Sequence, residues 1–178
     1  MIILDNFLDN DEFTLFCDDR NWKKPLDYTW VDRDCYDENC IWEHLLEKIW
    51  RPMRPLMASF EGIEYWTNIL SPTGSKDLDW HVDKDEKLYE EQNEIKSPVI
   101  GSVLYGHTET PGDGNLELIH QEMLERIEPL PNRLIIFDSS QYHRVAPVTK
   151  GIRRTFASNI WEHKPDAGNY GPKSSSRF

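Results

Sequence analysis

The chain has 178 residues, 38% of them hydrophobic and 12% aromatic, and a formal net charge of -12. This length suits one domain with a sizeable core, and the balance of apolar and charged residues excludes an intrinsically disordered chain. The acid excess repels phosphate backbones, so it argues against a general nucleic-acid binder and favours basic peptides; its plainer reading is a charge that keeps the protein soluble.

The opening Met1-Ile2-Ile3-Leu4-Asp5 carries no basic segment, and no stretch approaches the roughly 20 apolar residues of a membrane span. A soluble, cytoplasmic protein with no membrane partner is expected. Ile2-Ile3-Leu4 reads as a short strand, and residues 6–10 lead into a short helix bearing Phe13, Phe16 and Cys17. A clearer helix follows over 39–53, where Ile41, Leu45 and Ile49 repeat every fourth residue beside Trp42, Leu46 and Trp50; Pro52 and Pro55 predict its end. Cys17, Cys35 and Cys40 are odd in number and lack Cys-x-x-Cys spacing, so they read as reduced side chains.

From Ile63 the pattern changes to aromatic and β-branched segments, with strands expected at 63–70, 78–83, 98–105, 115–119, 133–138, 141–148 and 153–161. Helices followed by short antiparallel candidates predict an α+β, mainly β fold, a sandwich or barrel buttressed by N-terminal helices. The Glu-rich stretch 84–96 reads as a surface loop or lid. Residues 1–162 are expected to form a single domain, with strand and helices over 1–60 and a β core over 61–162; 163–178 is expected to be a frayed tail. The oligomeric state is not legible.

The chemistry concentrates in His81-Val82-Asp83, His143 and Arg153. Residues two apart on a strand share a face, so His81 and Asp83 project together while Trp80 and Val82 turn away. His143 follows the apolar strand at 133–138, and a facing strand can bring it to the other two. Two imidazoles and one carboxylate can occupy one face of an octahedral iron and leave the remaining positions open. Alone, His-x-Asp is common by chance, and a lone histidine is more often structural than a ligand. Pro147, Thr149 and Gly151 suit a hairpin centred near Val148, which would set Arg153 opposite His143 on the neighbouring strand with Thr155 on the same face. A guanidinium and a hydroxyl there would receive the carboxylate of a dicarboxylate co-substrate.

In Trp80-His81-Val82-Asp83-Lys84-Asp85-Glu86, Val103-Leu104-Tyr105, Asp113-Gly114-Asn115-Leu116, Leu134-Ile135-Ile136-Phe137-Asp138 and the run from His143 to Arg153, the chain resembles the Fe(II)- and 2-oxoglutarate-dependent dioxygenase superfamily, in its prolyl-hydroxylase-like branch. The resemblance spans about residues 60 to 162. It implies a double-stranded β-helix, or distorted jelly roll, with His81, Asp83 and His143 as iron ligands and Arg153 as the 2-oxoglutarate anchor. It also brings Thr155 and Tyr105 to the co-substrate pocket, although Tyr105 reads equally well as a core aromatic. Fe(II), 2-oxoglutarate and O2 are the implied cofactors, with ascorbate as a supporting reductant. The implied reaction is hydroxylation of an unactivated C–H bond with release of succinate and CO2. Asp113 stands where the branch often has the first glycine of a Gly-Gly-x-Leu turn, a substitution tolerable even at positive φ.

Peptidyl proline is the leading substrate by resemblance, with a free amino acid or other small molecule as its competitor. Three other readings stay open: a non-catalytic jelly-roll binding module, a cupin-like metal enzyme without 2-oxoglutarate, and a nucleic-acid demethylase, which fits the net charge poorly. The aromatic segment Tyr28-Thr29-Trp30 and the charged loop at 84–96 are candidates for shaping a substrate cleft.

Overall fold

The computed structural model describes residues 1–56, 59–73, 78–109 and 113–166. Strand β1 (Ile2–Leu4) runs antiparallel along one sheet edge against β8 (Leu134–Phe137). Asn132 clamps the chain that follows β1: its side-chain oxygen accepts from Leu8 N at 2.9 Å and its amide donates to Leu8 O at 2.8 Å. Helix α1 (Asn10–Phe16) starts in a capping box, in which Asp9 accepts from the amides of Asp11 and Glu12 while the Glu12 carboxylate accepts from Asp9 N.

Helix α2 (Ile41–Trp50) is shorter than the predicted 39–53 and continues as a 3-10 turn over Arg51–Leu56. Pro52 and Pro55 explain the change, since neither has an N–H to extend the α-helical ladder. Among the described residues, no helix is long and apolar enough to cross a membrane.

Every strand window expected from the sequence contains a strand. One sheet has the order β1-β8-β5-β10-β3-β2, with β2 at Thr29–Asp32, β3 at Gly62–Leu70, β5 at Ile100–Tyr105 and β10 at Arg153–Trp161. The other has the order β4-β9-β6-β7, with β4 at Leu78–His81, β6 at Leu116–His120, β7 at Met123–Ile127 and β9 at His143–Val145. All pairings are antiparallel. The molecule is thus mainly β with few helices. Strands β2 and β7 were not anticipated. The β2 segment had been read only as aromatic, and β7 is a short, largely exposed edge strand whose apolar residues Met123, Leu124 and Ile127 do not alternate.

The central strand β10 divides the interior by its alternation. Phe156 and Ile160 join Ile63, Tyr65 and Leu104 in one core with Trp42, Leu45, Leu46, Ile49 and Trp50 of α2. Trp42 stacks on Phe156 with centroids 5.3 Å apart, and Trp50 Nε1 donates to Ser158 Oγ at 3.0 Å. On the opposite face Arg153, Thr155, Ala157 and Asn159 point toward the four-stranded sheet, where Leu116, His143 and Val145 meet them around a cavity that Phe137 of β8 also lines.

Two sequence expectations need correction. Residues 84–96 are not simply a loop: they include helix α3 (Glu86–Gln92), N-capped by Asp85, which has no buried residue and so keeps the surface character expected of the stretch. The tail expected over 163–178 falls mostly outside the described residues. Its first part is tethered: His163 Nε2 lies 3.2 Å from Asp85 Oδ2, and Lys87 pairs with Asp166.

Candidate metal and co-substrate site

His81 ends β4 and pairs directly in register with His143, the first residue of β9. The two histidines are therefore neighbours within one sheet, not on facing strands as the sequence suggested. Their ring centroids are 4.3 Å apart. Asp83 lies two residues beyond His81, held where Asp83 N donates to Ser139 O at 3.0 Å. Asp83 Oδ1 lies 3.6 Å from His81 Nε2 and 3.7 Å from His143 Nε2.

The hydrogen bonds select the tautomers. His81 Nδ1 lies 2.6 Å from Asp79 O and His143 Nδ1 lies 2.9 Å from Gln141 O. A carbonyl can only accept, so each Nδ1 carries a proton and each Nε2 is the nitrogen turned toward Asp83 Oδ1. Burial pushes the His143 imidazole below its usual range, and the Asp83 charge offsets this only in part. The other carboxylate oxygen, Oδ2, accepts from Asn159 Nδ2 at 3.0 Å, which leaves Oδ1 facing the histidines. The three donor atoms lie within 4.8 Å of one another and could hold a metal ion. Two imidazole nitrogens and a carboxylate oxygen form the donor set of a non-heme ferrous site.

Asn159 escaped the sequence reading. The signal was present, because it lies six residues after Arg153 on the same strand and period-2 alternation sets both on one face. Room for it comes from Gly101, the residue opposite on β5: a Cβ there would lie 2.7 Å from Asn159 Oδ1 and 3.1 Å from Ser139 Cβ.

Arg153 is 2% exposed and lines the same cavity, of about 100 Å³, as the His-Asp-His group. The hairpin expected to join its strand to that of His143 is absent: β10 pairs with β3 and β5, and β9 with β4 and β6. Arg153 thus reaches the site from the opposite sheet. The turn expected near Val148 is a connection between sheets, in which Gly151 has φ 77°. Arg153 Nη2 donates to Tyr105 Oη at 3.3 Å, its guanidinium carbon stands 5.0 Å from the Tyr105 ring centroid, and its Nε is buried without a hydrogen-bond partner among the described residues. Among the described residues no carboxylate forms an ion pair with it, so the cavity holds an uncompensated cation ready for an anion. Thr155 is buried and lines the cavity, paired across β5 with Tyr105, itself in the apolar cluster between the sheets.

The turn before β6 shows what Asp113 does. Gly114, not Asp113, has the positive φ of 63°. The Asp113 carboxylate instead accepts from Thr149 N at 2.6 Å and Thr149 Oγ1 at 2.7 Å, tying this turn to the connection that leads into Arg153. A Cβ on Gly114 would come within 3.1 Å of Arg153 Cδ, so the glycine lets the turn close over the arginine.

Facing antiparallel sheets with a His-Asp-His group and a buried arginine between them define a mainly β protein built around a ferrous-type metal centre. The chain belongs to the 2OG-Fe(II) oxygenase superfamily, whose family model matches residues 67–163. It is accordingly an Fe(II)- and 2-oxoglutarate-dependent dioxygenase. Its fold is similar to that of a prolyl-4-hydroxylase from Pseudomonas putida, at 16% identity over 92% of each chain with a TM-score of 0.67. It is also similar to a Trichoplax adhaerens prolyl hydroxylase in complex with a hypoxia inducible factor oxygen degradation domain peptide fragment, at 13% identity over 94% of this chain and 86% of that one, TM-score 0.58. HygX from Streptomyces hygroscopicus, with nickel and 2-oxoglutarate bound, is similar at 10% identity over 90% of this chain and 81% of its own, TM-score 0.59. No curated protein sequence matches the chain.

Proposed function

We propose that the chain is a hydroxylase of unactivated C–H bonds in which His81 Nε2, Asp83 Oδ1 and His143 Nε2 hold Fe(II) and Arg153 holds the distal carboxylate of 2-oxoglutarate. The observation that carries this is the buried Arg153 cation, without a carboxylate partner among the described residues, facing the cavity that the His-Asp-His group also lines. Ferrous iron and 2-oxoglutarate supply the oxidising chemistry: O2 is consumed, the co-substrate leaves as succinate and CO2, and one oxygen atom enters the substrate.

The protein's own residues supply binding and order. The Nδ1 contacts to Asp79 and Gln141 turn both Nε2 atoms toward Asp83, and Asn159 engages the second Asp83 oxygen, which would leave Oδ1 to hold the metal. Leu116, Phe137 and Val145 give the cavity an apolar part of its wall, which strengthens the pairing of Arg153 with a carboxylate. Thr155 and the Tyr105 hydroxyl stand beside that anchor. In this reading the facing sheets are a double-stranded β-helix, residues 1–162 form one domain, and the substrate is a peptide or small molecule. Likeness to prolyl hydroxylases makes peptidyl proline a candidate, and the net charge of -12 argues against nucleic acid.

Titrating 2-oxoglutarate against the metal-loaded protein tests the assignment. Arg153→Ala removes a charge-assisted contact and is expected to weaken 2-oxoglutarate about 10- to 100-fold. Unchanged affinity in a folded variant would remove the anchor and the reading with it.

A further inference from the structure

Two of the three residues of the His-Asp-His group are held by one turn. The chain leaves β8 at Phe137 and enters β9 at His143, and the residues between them, 138–142, present two backbone carbonyls to the site. Ser139 O accepts from Asp83 N at 3.0 Å, and Gln141 O lies 2.9 Å from His143 Nδ1. Asp83 needs such a hold, because β4 ends at His81 and strand pairing stops short of it. The separation of the two carbonyls therefore sets where Asp83 Oδ1 stands relative to His143 Nε2, 3.7 Å away.

The turn is closed by a side chain of its own. Asp138 Oδ1 accepts from Ser140 N at 3.0 Å and from Ser140 Oγ at 2.5 Å, and Gln141 N donates to Asp138 O at 3.2 Å. The carboxylate thus folds the chain around Ser139 and fixes the path between the two carbonyls. Both ends of the segment are secured by other means. Ser139 is fully buried, and a Cβ on Gly101 of β5 would lie 3.1 Å from its Cβ. At the exit, Ile119 N of β6 donates to Tyr142 O at 2.9 Å, and Gln141 Nε2 lies 3.2 Å from His120 Nδ1. What sheet pairing leaves undetermined is the conformation over 138–141, and the Asp138 hydrogen bonds specify it. Asp138 itself is exposed and is not among the residues that line the cavity of the metal group.

We propose that Asp138 is a positioning residue for the metal site: by capping the 138–141 turn it holds the Ser139 and Gln141 carbonyls at the separation that aims Asp83 and His143 at one ion. This rests on the metal assignment of the preceding reading and extends it to a side chain that touches neither ion nor substrate. Contacts of this kind orient ligands and are felt in metal affinity. The role needs an oxygen acceptor and not a charge, since the amide oxygen of an asparagine accepts the same two bonds. An alanine accepts neither.

The test compares the full chain with three variants, Asp138→Ala, Asp138→Asn and Ser140→Ala. Mn(II) affinity is measured by competition with a chelator. In the metal-free protein, at a pH above the imidazole range, the ring-nitrogen NMR shifts of His143 report which nitrogen carries the proton. Asp138→Ala should weaken Mn(II) by about tenfold and mix the two His143 tautomers, while the thermal transition of the metal-free protein moves little. Asp138→Asn should restore both readouts to those of the unaltered chain. Ser140→Ala keeps the backbone half of the cap, so it should give a smaller loss in the same direction, and it carries the test if Asp138→Ala does not fold. Unchanged Mn(II) affinity and tautomer in the folded variants would overturn the proposal. An Asp138→Asn protein as weak as Asp138→Ala would overturn it too, because charge and not turn geometry would then be at work. An unaltered chain that takes up no Mn(II) would instead overturn the metal assignment on which the proposal rests.

Discussion

At the scale of single residues, the site depends on side chains that never need to touch the metal. Asn159 engages one oxygen of Asp83, and the backbone carbonyls of Asp79 and Gln141 engage one nitrogen of each histidine. Such contacts orient ligands, and their loss typically costs 10- to 100-fold in metal affinity. Asn159→Ala should therefore weaken metal binding by about tenfold, measured by competition with a chelator, while the thermal transition moves little. An unchanged metal affinity would show that Asp83 is aimed by the backbone of its own loop. The His-x-Asp pair was legible in its residue types and spacing, but the strand expected over 78–83 ends at His81, and Asp83 is placed by its backbone bond to Ser139 O and not by strand alternation. Asn159 was legible in principle but silent, since an asparagine on a buried strand face carries no signal until the strand across from it is known.

At the scale of elements, the outer face of the four-stranded sheet is held by a carboxylate shared between strands. Glu117 on β6 accepts from Arg126 Nε of β7 at 2.9 Å and from Arg144 Nε of β9 at 2.7 Å. Burial alone would raise the Glu117 carboxyl, but the hydrogen bonds from Arg126 and Arg144 outweigh it and hold the group below its ordinary value of 4.5. A carboxyl depressed in the folded state stabilises above its unfolded pKa, and this stabilisation is lost as pH falls through the folded value. Glu117→Gln should thus cost about 1 kcal/mol at neutral pH. In urea denaturation the gap between the two proteins should close as pH is lowered below the ordinary glutamate range. A gap independent of pH would mean that packing, not charge, is what the substitution disturbs. The connection from β9 to β10 carries the other lesson at this scale. Its Pro, Thr and Gly residues were read as a hairpin within one sheet, but a connection between sheets uses the same residue types.

At the scale of the whole molecule, the six-stranded sheet separates two functions. Its helix-covered face carries stability, through Trp42, Leu45, Leu46, Ile49 and Trp50 packed on Ile63, Tyr65, Leu104 and Phe156. Its other face carries the cavity, the buried arginine and Asn159. Leu46 is fully buried on the helix side, so Leu46→Ala should cost about 2–5 kcal/mol and lower Tm by roughly 5–15 °C. Below the lowered transition, 2-oxoglutarate affinity should be kept, because the change lies on the far side of the sheet. Calorimetry at low temperature checks this, and a parallel loss of affinity would show that the two faces are coupled.

The sequence by itself determined the period of each main strand, the amphipathic stripe of α2, the ligand types at 81, 83 and 143, and the presence of a cation at 153. Each of these is a local property, written in alternation, spacing or side-chain chemistry. Only the tertiary structure decided that His81 and His143 are neighbours in one sheet, that Arg153 comes from the opposite sheet, and that Asn159 and Ser139, with Gly101 making room for them, hold Asp83. Strand pairing joins segments tens of residues apart through backbone hydrogen bonds that any sequence can make. Which strands pair is therefore settled by how the whole set buries its apolar faces, and so is the position of a buried cation beside a metal-ligand group.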